Sequence, residues 1–89
     1  MTNFLHHEFD LSANDTVEVA LDNQANVRLL DDTNFLLYKS GKQHRFHGGL
    51  AKTSPIRIAA PHAGHWHVVI DLGGYAGTVR AAASVLQGA

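Results

Sequence analysis

Cysteine is absent from the chain. That excludes disulfides, thiolate zinc sites, iron–sulfur clusters and cysteine nucleophiles. Charge is sparse, with Asp, Glu, Lys and Arg making up 17% of the residues, which excludes a charge-rich disordered tail and a coiled coil. No apolar run is longer than four or five residues, whereas a membrane-spanning helix needs roughly 20. The opening Met1-Thr2-Asn3-Phe4-Leu5-His6-His7-Glu8 holds neither Lys nor Arg and no apolar segment, so it does not read as a secretory signal. Neither end carries a lipidation motif. The expected compartment is the cytoplasm, with no membrane partner. With 89 residues, the chain suits a single domain, 1–89.

Acid is missing from one long stretch. Seven of the eight acidic residues lie in the first 32 positions: Glu8, Asp10, Asp15, Glu18, Asp22, Asp31 and Asp32. The eighth is Asp71. Between Asp32 and Asp71 stand five of the seven basic residues, Lys39, Lys42, Arg45, Lys52 and Arg57, and five of the seven histidines, His44, His47, His62, His65 and His67. This asymmetry has two readings. One is a basic, histidine-rich face that attracts an anion, a nucleic acid or an acidic protein. The other is an antiparallel sheet in which acidic strands lie beside basic ones, so that the charges pair across strands.

Alternation with a period of two dominates the chain. Val17, Val19 and Leu21 share one face of a strand, with Glu18 on the other. Val27 and Leu29 point inward from the next strand, and Ile56 and Ile58 from a third. Pro55 has no N–H and suits the start of a strand or a sheet edge. Trp66, Val68, Ile70 and Leu72 line one face of the strongest strand, with His65, His67, Val69 and Asp71 opposite. Val79, Ala81, Ala83 and Val85 continue the pattern. We read 78–87 as a strand, with a helix over its alanines as the alternative. Asn34-Phe35-Leu36-Leu37-Tyr38-Lys39-Ser40-Gly41 breaks the alternation. It predicts a short helical turn near 34–40, capped by Asn34, ended by Gly41 in the left-handed region, and plugging one end of the sheets. Gly73-Gly74-Tyr75-Ala76-Gly77 predicts a tight turn needing positive φ, not a phosphate cradle. About seven short strands predict an all-β fold, an antiparallel β-sandwich of jelly-roll-like or immunoglobulin-like type. The predicted core is Val17, Val19, Leu21, Val27, Leu29, Phe35, Ile56, Ile58, Trp66, Val68, Ile70 and Val79.

A set of short motifs runs through most of the chain: Val17-Glu18-Val19, Ala25-Asn26-Val27-Arg28-Leu29, Asn34-Phe35 with Tyr38 and Gly41, Gly48-Gly49, Ser54-Pro55, Gly64-His65-Trp66 and Asp71-Leu72-Gly73-Gly74. Together they resemble a family of short bacterial domains known only as a domain of unknown function. Some members look fused to TIR domains, which implies recognition or signalling. The resemblance carries no catalytic residues.

Among candidate chemistries, His65 and His67 share one face of a strand, with His62 at the preceding turn, and neutral imidazoles at that spacing can share a metal ion. The ligand set is short, because Asp71 lies about 13 Å from His67 at roughly 3.3 Å per residue. The His-x-His pattern also resembles the cupin metal motif, whose glutamate and second motif are missing here. His44 and His47 fall on opposite faces of an ideal strand, and His6-His7 sits where a terminus is expected to fray. No metal and no cofactor is assigned. Ser12, Ser40, Ser54 and Ser84 lie outside any nucleophile elbow, and Asp31-Asp32 read as helix caps, so no enzyme activity is expected. Tyr38, Lys39, Lys42, Arg45, Phe46 and Trp66 interleave bases with aromatics, the mixture that single-strand nucleic-acid binders use. The expectation is a non-enzymatic binding or sensing module that recognises a protein or small ligand through Lys39, Lys42, Arg45, His47, His65 and His67. Weak single-stranded nucleic-acid binding and a histidine metal site are the alternatives. A homodimer through unpaired edge strands is a further arrangement that the pattern allows.

Overall fold

A computed structural model describes residues 4–73 and 77–88. The alternating segments form seven strands and one helix in the order β1 (Phe4–Leu11), β2 (Thr16–Leu21), β3 (Ala25–Leu30), α1 (Asp32–Lys39), β4 (His47–Ala51), β5 (Ile56–Ala59), β6 (Gly64–Asp71) and β7 (Ala81–Leu86). They make two antiparallel sheets, one ordered β1-β6-β3-β4 and the other β5-β2-β7. The all-β sandwich is therefore as expected. Only the β3–β4 connection stays within one sheet. An immunoglobulin domain pairs its first strand with its second, but here β1 and β2 lie in different sheets. The repeated crossing is nearer to a jelly roll. No helix among the described residues is long and apolar enough to cross a membrane.

The principal core lies between the sheets. Val17, Val19, Val27, Leu29, Trp66, Val68 and Ile70 fill it, with Leu21, Ile56, Ile58 and Val79 half-buried around them. Burial of each such side chain contributes roughly 1.5–3 kcal/mol. The alanine-rich tail is a strand because Ala81–Leu86 pairs along the whole of β2, and that partner outweighs its local helix preference. Pro55 directly precedes β5, an edge strand. Alternation fails to announce two strands. β1 extends through His6 and His7 instead of fraying, and β4 contains Gly48 and Gly49, poor strand formers that leave little pattern to read.

The α1 segment does not plug the end of the sandwich. It lies across the outer face of the four-stranded sheet, where Phe35 joins Leu30 and Val69 in a second cluster flanked by Phe4 and Tyr38. With both faces of that sheet covered, every β6 residue from Trp66 to Asp71 is buried. The helix starts one turn earlier than expected, because Asp31, not Asn34, is its N-cap. The Asp31 carboxylate accepts from the Asn34 backbone N–H at 2.8 Å. Gly41 ends the helix at φ 71°. Its N–H donates to the Tyr38 carbonyl, and that of Lys42 donates to the Leu37 carbonyl, which is a Schellman closure. Of the glycine-rich turn, Gly73 and Gly77 have positive φ, while Gly74-Tyr75-Ala76 lies outside the described residues.

One buried carboxylate ties the helix to the sheet. Asp71 accepts from the Tyr38 hydroxyl, the Arg28 guanidinium, the Asn26 amide and the Gly73 N–H. Burial drives its acid strength down, but these four donors together outweigh burial and hold its pKa below the ordinary value. Burial first, and then the Asp71 carboxylate, push the Tyr38 hydroxyl well above its ordinary range. Arg28 also lies over the Tyr38 and Phe46 rings, 5.5 and 5.1 Å from their centroids. Removing one member of a buried ion pair strands the other, so Asp71→Ala is expected to lower unfolding stability by roughly 3–5 kcal/mol. Arg57→Ala, which breaks the exposed Glu18 pair, is expected to cost less than about 1 kcal/mol. Chemical denaturation of the two variants measures the contrast.

Candidate metal centre

β1 lies antiparallel on β6 with Asp10 opposite His65, Glu8 opposite His67 and His6 opposite Val69. Side chains alternate along both strands. His6, Glu8 and Asp10 therefore share the outer sheet face with His65 and His67, while Trp66, Val68 and Ile70 point into the sandwich. The acid-free stretch thus acquires acids in space, supplied by β1 and by the first turn of α1.

His67 is the centre of the group and is 5% exposed. Its Nε2 lies 2.6 Å from Asp32 Oδ1. Its Nδ1 lies 2.8 Å from His6 Nε2 and 3.6 Å from Glu8 Oε1. An ionised carboxylate can only accept, so His67 donates its Nε2–H to Asp32. Its Nδ1 then keeps a lone pair and accepts from the Nε2–H of His6. The Phe35 ring lies nearly flat against both imidazoles, 4.3 Å from the His6 centroid and 4.2 Å from that of His67. The Lys39 ammonium sits 4.9 Å from the Phe35 centroid. His65 completes the cluster. Its Nδ1 lies 2.7 Å from Asp10 and its Nε2 lies 3.1 Å from Glu8 Oε1.

These contacts shift the titrating groups in opposite directions. Burial, reinforced by His67, lowers the pKa of His6. The Asp10 carboxylate, followed by that of Glu8, raises His65 to about 9. The hydrogen bond from His65 holds Glu8 below the ordinary carboxylate value. Among the described residues, two sets of ligand atoms each gather within 4.8 Å: His6, Glu8 and His67, and Asp32, His65 and His67. A tetrahedral ion with bonds of roughly 2.0–2.2 Å separates its ligand atoms by about 3.3–3.6 Å. To admit one, the 2.8 Å His6–His67 contact needs to open by about half an ångström, and the His6 proton needs to move from Nε2 to Nδ1.

Of the six residues picked out in sequence, Lys39, His65 and His67 stand near one another, with the Lys39 charge close enough to act on His6. His65 and His67 meet at a ring separation of 5.1 Å, among carboxylates. Lys39 ends α1, and Lys42 and Arg45 follow in the loop. Arg45 and His47 border a separate cleft of about 150 Å³ with Pro61, His62 and Trp66. The aromatics in the nucleic-acid pattern are largely occupied. Trp66 is 3% exposed, the Tyr38 hydroxyl donates to Asp71, and Phe46 stacks with Arg28. Sequence reasoning missed His6, Glu8 and Asp32. The alternation of Phe4, His6, Glu8 and Asp10 already placed two of them on one strand face. The pairing with β6 had no local signal.

The fold and the cluster define a small β-sandwich domain with a histidine–carboxylate site on one sheet face. The chain belongs to the family described as a domain of unknown function (DUF1883), whose model matches residues 2–88. No curated protein and no solved structure matches it.

The His65 contacts set a pH dependence. Its folded-state pKa of about 9 lies above the ordinary histidine value of 6.5. The stability it contributes is therefore complete below about pH 6.5 and lost as pH rises through about 9. A histidine NMR titration is expected to show His65 keeping its proton to about pH 9, and Asp10→Asn is expected to move the midpoint towards the ordinary histidine value.

Proposed function

We propose that this domain is a non-enzymatic binding module whose ligand at the outer sheet face is a divalent transition-metal ion, held by His6 Nε2, His67 Nδ1 and a Glu8 oxygen. The observation that carries the reading is the convergence of these three donors within 4.8 Å of one another. Two imidazoles and one carboxylate suit zinc and its neighbours, and three protein ligands leave a position for water or a partner's side chain. Asp32 supports the set by accepting the Nε2–H of His67, which fixes the ring and aims the Nδ1 lone pair at the ion. Carboxylates placed in this way orient metal-bound histidines in many proteins. Phe35 keeps one side of both rings apolar.

A cation fits this surface better than the anion that a basic face would attract, because Glu8, Asp10 and Asp32 surround His65 and His67. Lys42, Arg45 and His47 supply no ligand to the proposed site, and Lys39 reaches it only as a positive charge near His6. The association with TIR domains that the resemblance implies would make such a module a sensing element, with ion occupancy as its input.

Calorimetric titration of tag-free protein with Zn²⁺ tests the proposal. The wild-type chain is expected to bind zinc, and His6→Ala or Glu8→Ala to weaken binding at least about tenfold. His7→Ala, on the opposite side of β1, is expected to leave it unchanged. Equal affinity in the wild-type chain and a His6→Ala, Glu8→Ala double variant, or no binding at all, overturns the proposal.

A further inference from the structure

We propose that the face holds a second divalent ion, at Asp32, His65 and His67, so that the His67 imidazole bridges two metal centres. This rests on the first ion's site and extends it. The two ligand sets have His67 in common and differ in everything else. Partners from the two sets approach opposite nitrogens of that ring. His6 and Glu8 approach Nδ1 at 2.8 and 3.6 Å, and Asp32 approaches Nε2 at 2.6 Å.

His65 is prepared for the second ion much as His67 is prepared for the first. Its Nδ1 is turned to Asp10 at 2.7 Å, so Nε2 is the nitrogen it can offer, and a carboxylate on the far nitrogen again fixes the ring. That Nε2 contacts Glu8 Oε1 at 3.1 Å. Glu8 is also a ligand of the first ion. Once the first ion draws the Glu8 carboxylate to itself, His65 Nε2 loses that partner, and the second ion displaces the proton this nitrogen carries. Filling is therefore ordered, with the His6 side first and the His65 side second.

The proton count closes. With one ion on Nδ1, His67 keeps its Nε2–H, donated to Asp32. The second ion replaces that proton and the one on His65 Nε2, both of which pass to solvent, and the His67 ring becomes an imidazolate bound through both nitrogens. Neither ion changes oxidation state. The carboxylates of Glu8, Asp32 and Asp10 and the imidazolate match the charge of two divalent ions on one sheet face.

Copper(II) is the probe, because coupling through a shared ring is visible in its spectrum. Tag-free protein is titrated with Cu²⁺, its stoichiometry read by native mass spectrometry and its signal by electron paramagnetic resonance. The expected result is two ions per chain. The first equivalent gives a full-intensity mononuclear signal, and the second makes the integrated intensity fall. The double variant Asp32→Ala, His65→Ala alters two exposed side chains, leaves the Asp31 cap intact, and is expected to take one ion. His7→Ala is expected to take two, still coupled. Saturation of the wild-type chain at one ion overturns the second centre and leaves the first standing. Two ions whose signals simply add overturn the bridge. A double variant that still takes two coupled ions overturns the ligand assignment. No bound copper overturns both centres.

Discussion

The register of β1 on β6 is the constraint on which both the packing and the site depend. With Phe4 opposite Asp71 and Leu11 opposite Gly64, Leu11 is 4% exposed inside the sandwich and Phe9 packs against the same core. The alternate residues, His6, Glu8 and Asp10, then stand on the outer face beside His65 and His67. A slip of one residue would exchange the two sets. It would drive His6 and Glu8 into the apolar interior and expose Phe9 and Leu11. Hydrophobic burial along one side of β1 therefore selects the arrangement that gathers ligands on the other. No separate stabilisation of the site is needed to bring its strands together.

The second requirement is a helix held over that face, and Asp71 supplies it four residues along β6 from His67. By gathering Tyr38 and Arg28, Asp71 anchors the C-terminal half of α1, while Phe35 seals the middle against Leu30 and Val69. The N-terminal turn, capped by Asp31, then presents Asp32 to His67. Two polar clusters thus lie on one strand face with the fully buried Val69 between them. One is closed and structural, because four donors satisfy its carboxylate. The other is open, because His67 has a nitrogen on each side and more partners than it can serve at once.

Much of this architecture was legible from alternation. Val17 and Val19, Val27 and Leu29, and Trp66, Val68 and Ile70 fall inward as their period of two requires. Gly41 marks the end of α1 as its left-handed φ requires. What failed to show had physical reasons. The histidines and acids of β1 obscured a strand whose partner lies some sixty residues away. The two glycines of β4 left no pattern. Leu30, Val69 and Phe35 form a core outside the sandwich, and alternation does not foresee a sheet buried on both faces. The candidate site was half visible. His65 and His67 stood out by spacing, but His6, Glu8 and Asp32 come from other elements, and only long-range pairing shows that they meet. The charge asymmetry suggested a basic face, and the same pairing brings acids back beside the histidines.

The most direct test of the metal centre is a crystal structure of the zinc-soaked protein, with anomalous data collected on both sides of the zinc absorption edge. An ion on the outer sheet face, about 2.0–2.2 Å from His6 Nε2, His67 Nδ1 and a Glu8 oxygen, is the predicted result. Anomalous density confined to His7, His44 or His62, with the His6–His67 hydrogen bond unbroken, would contradict it.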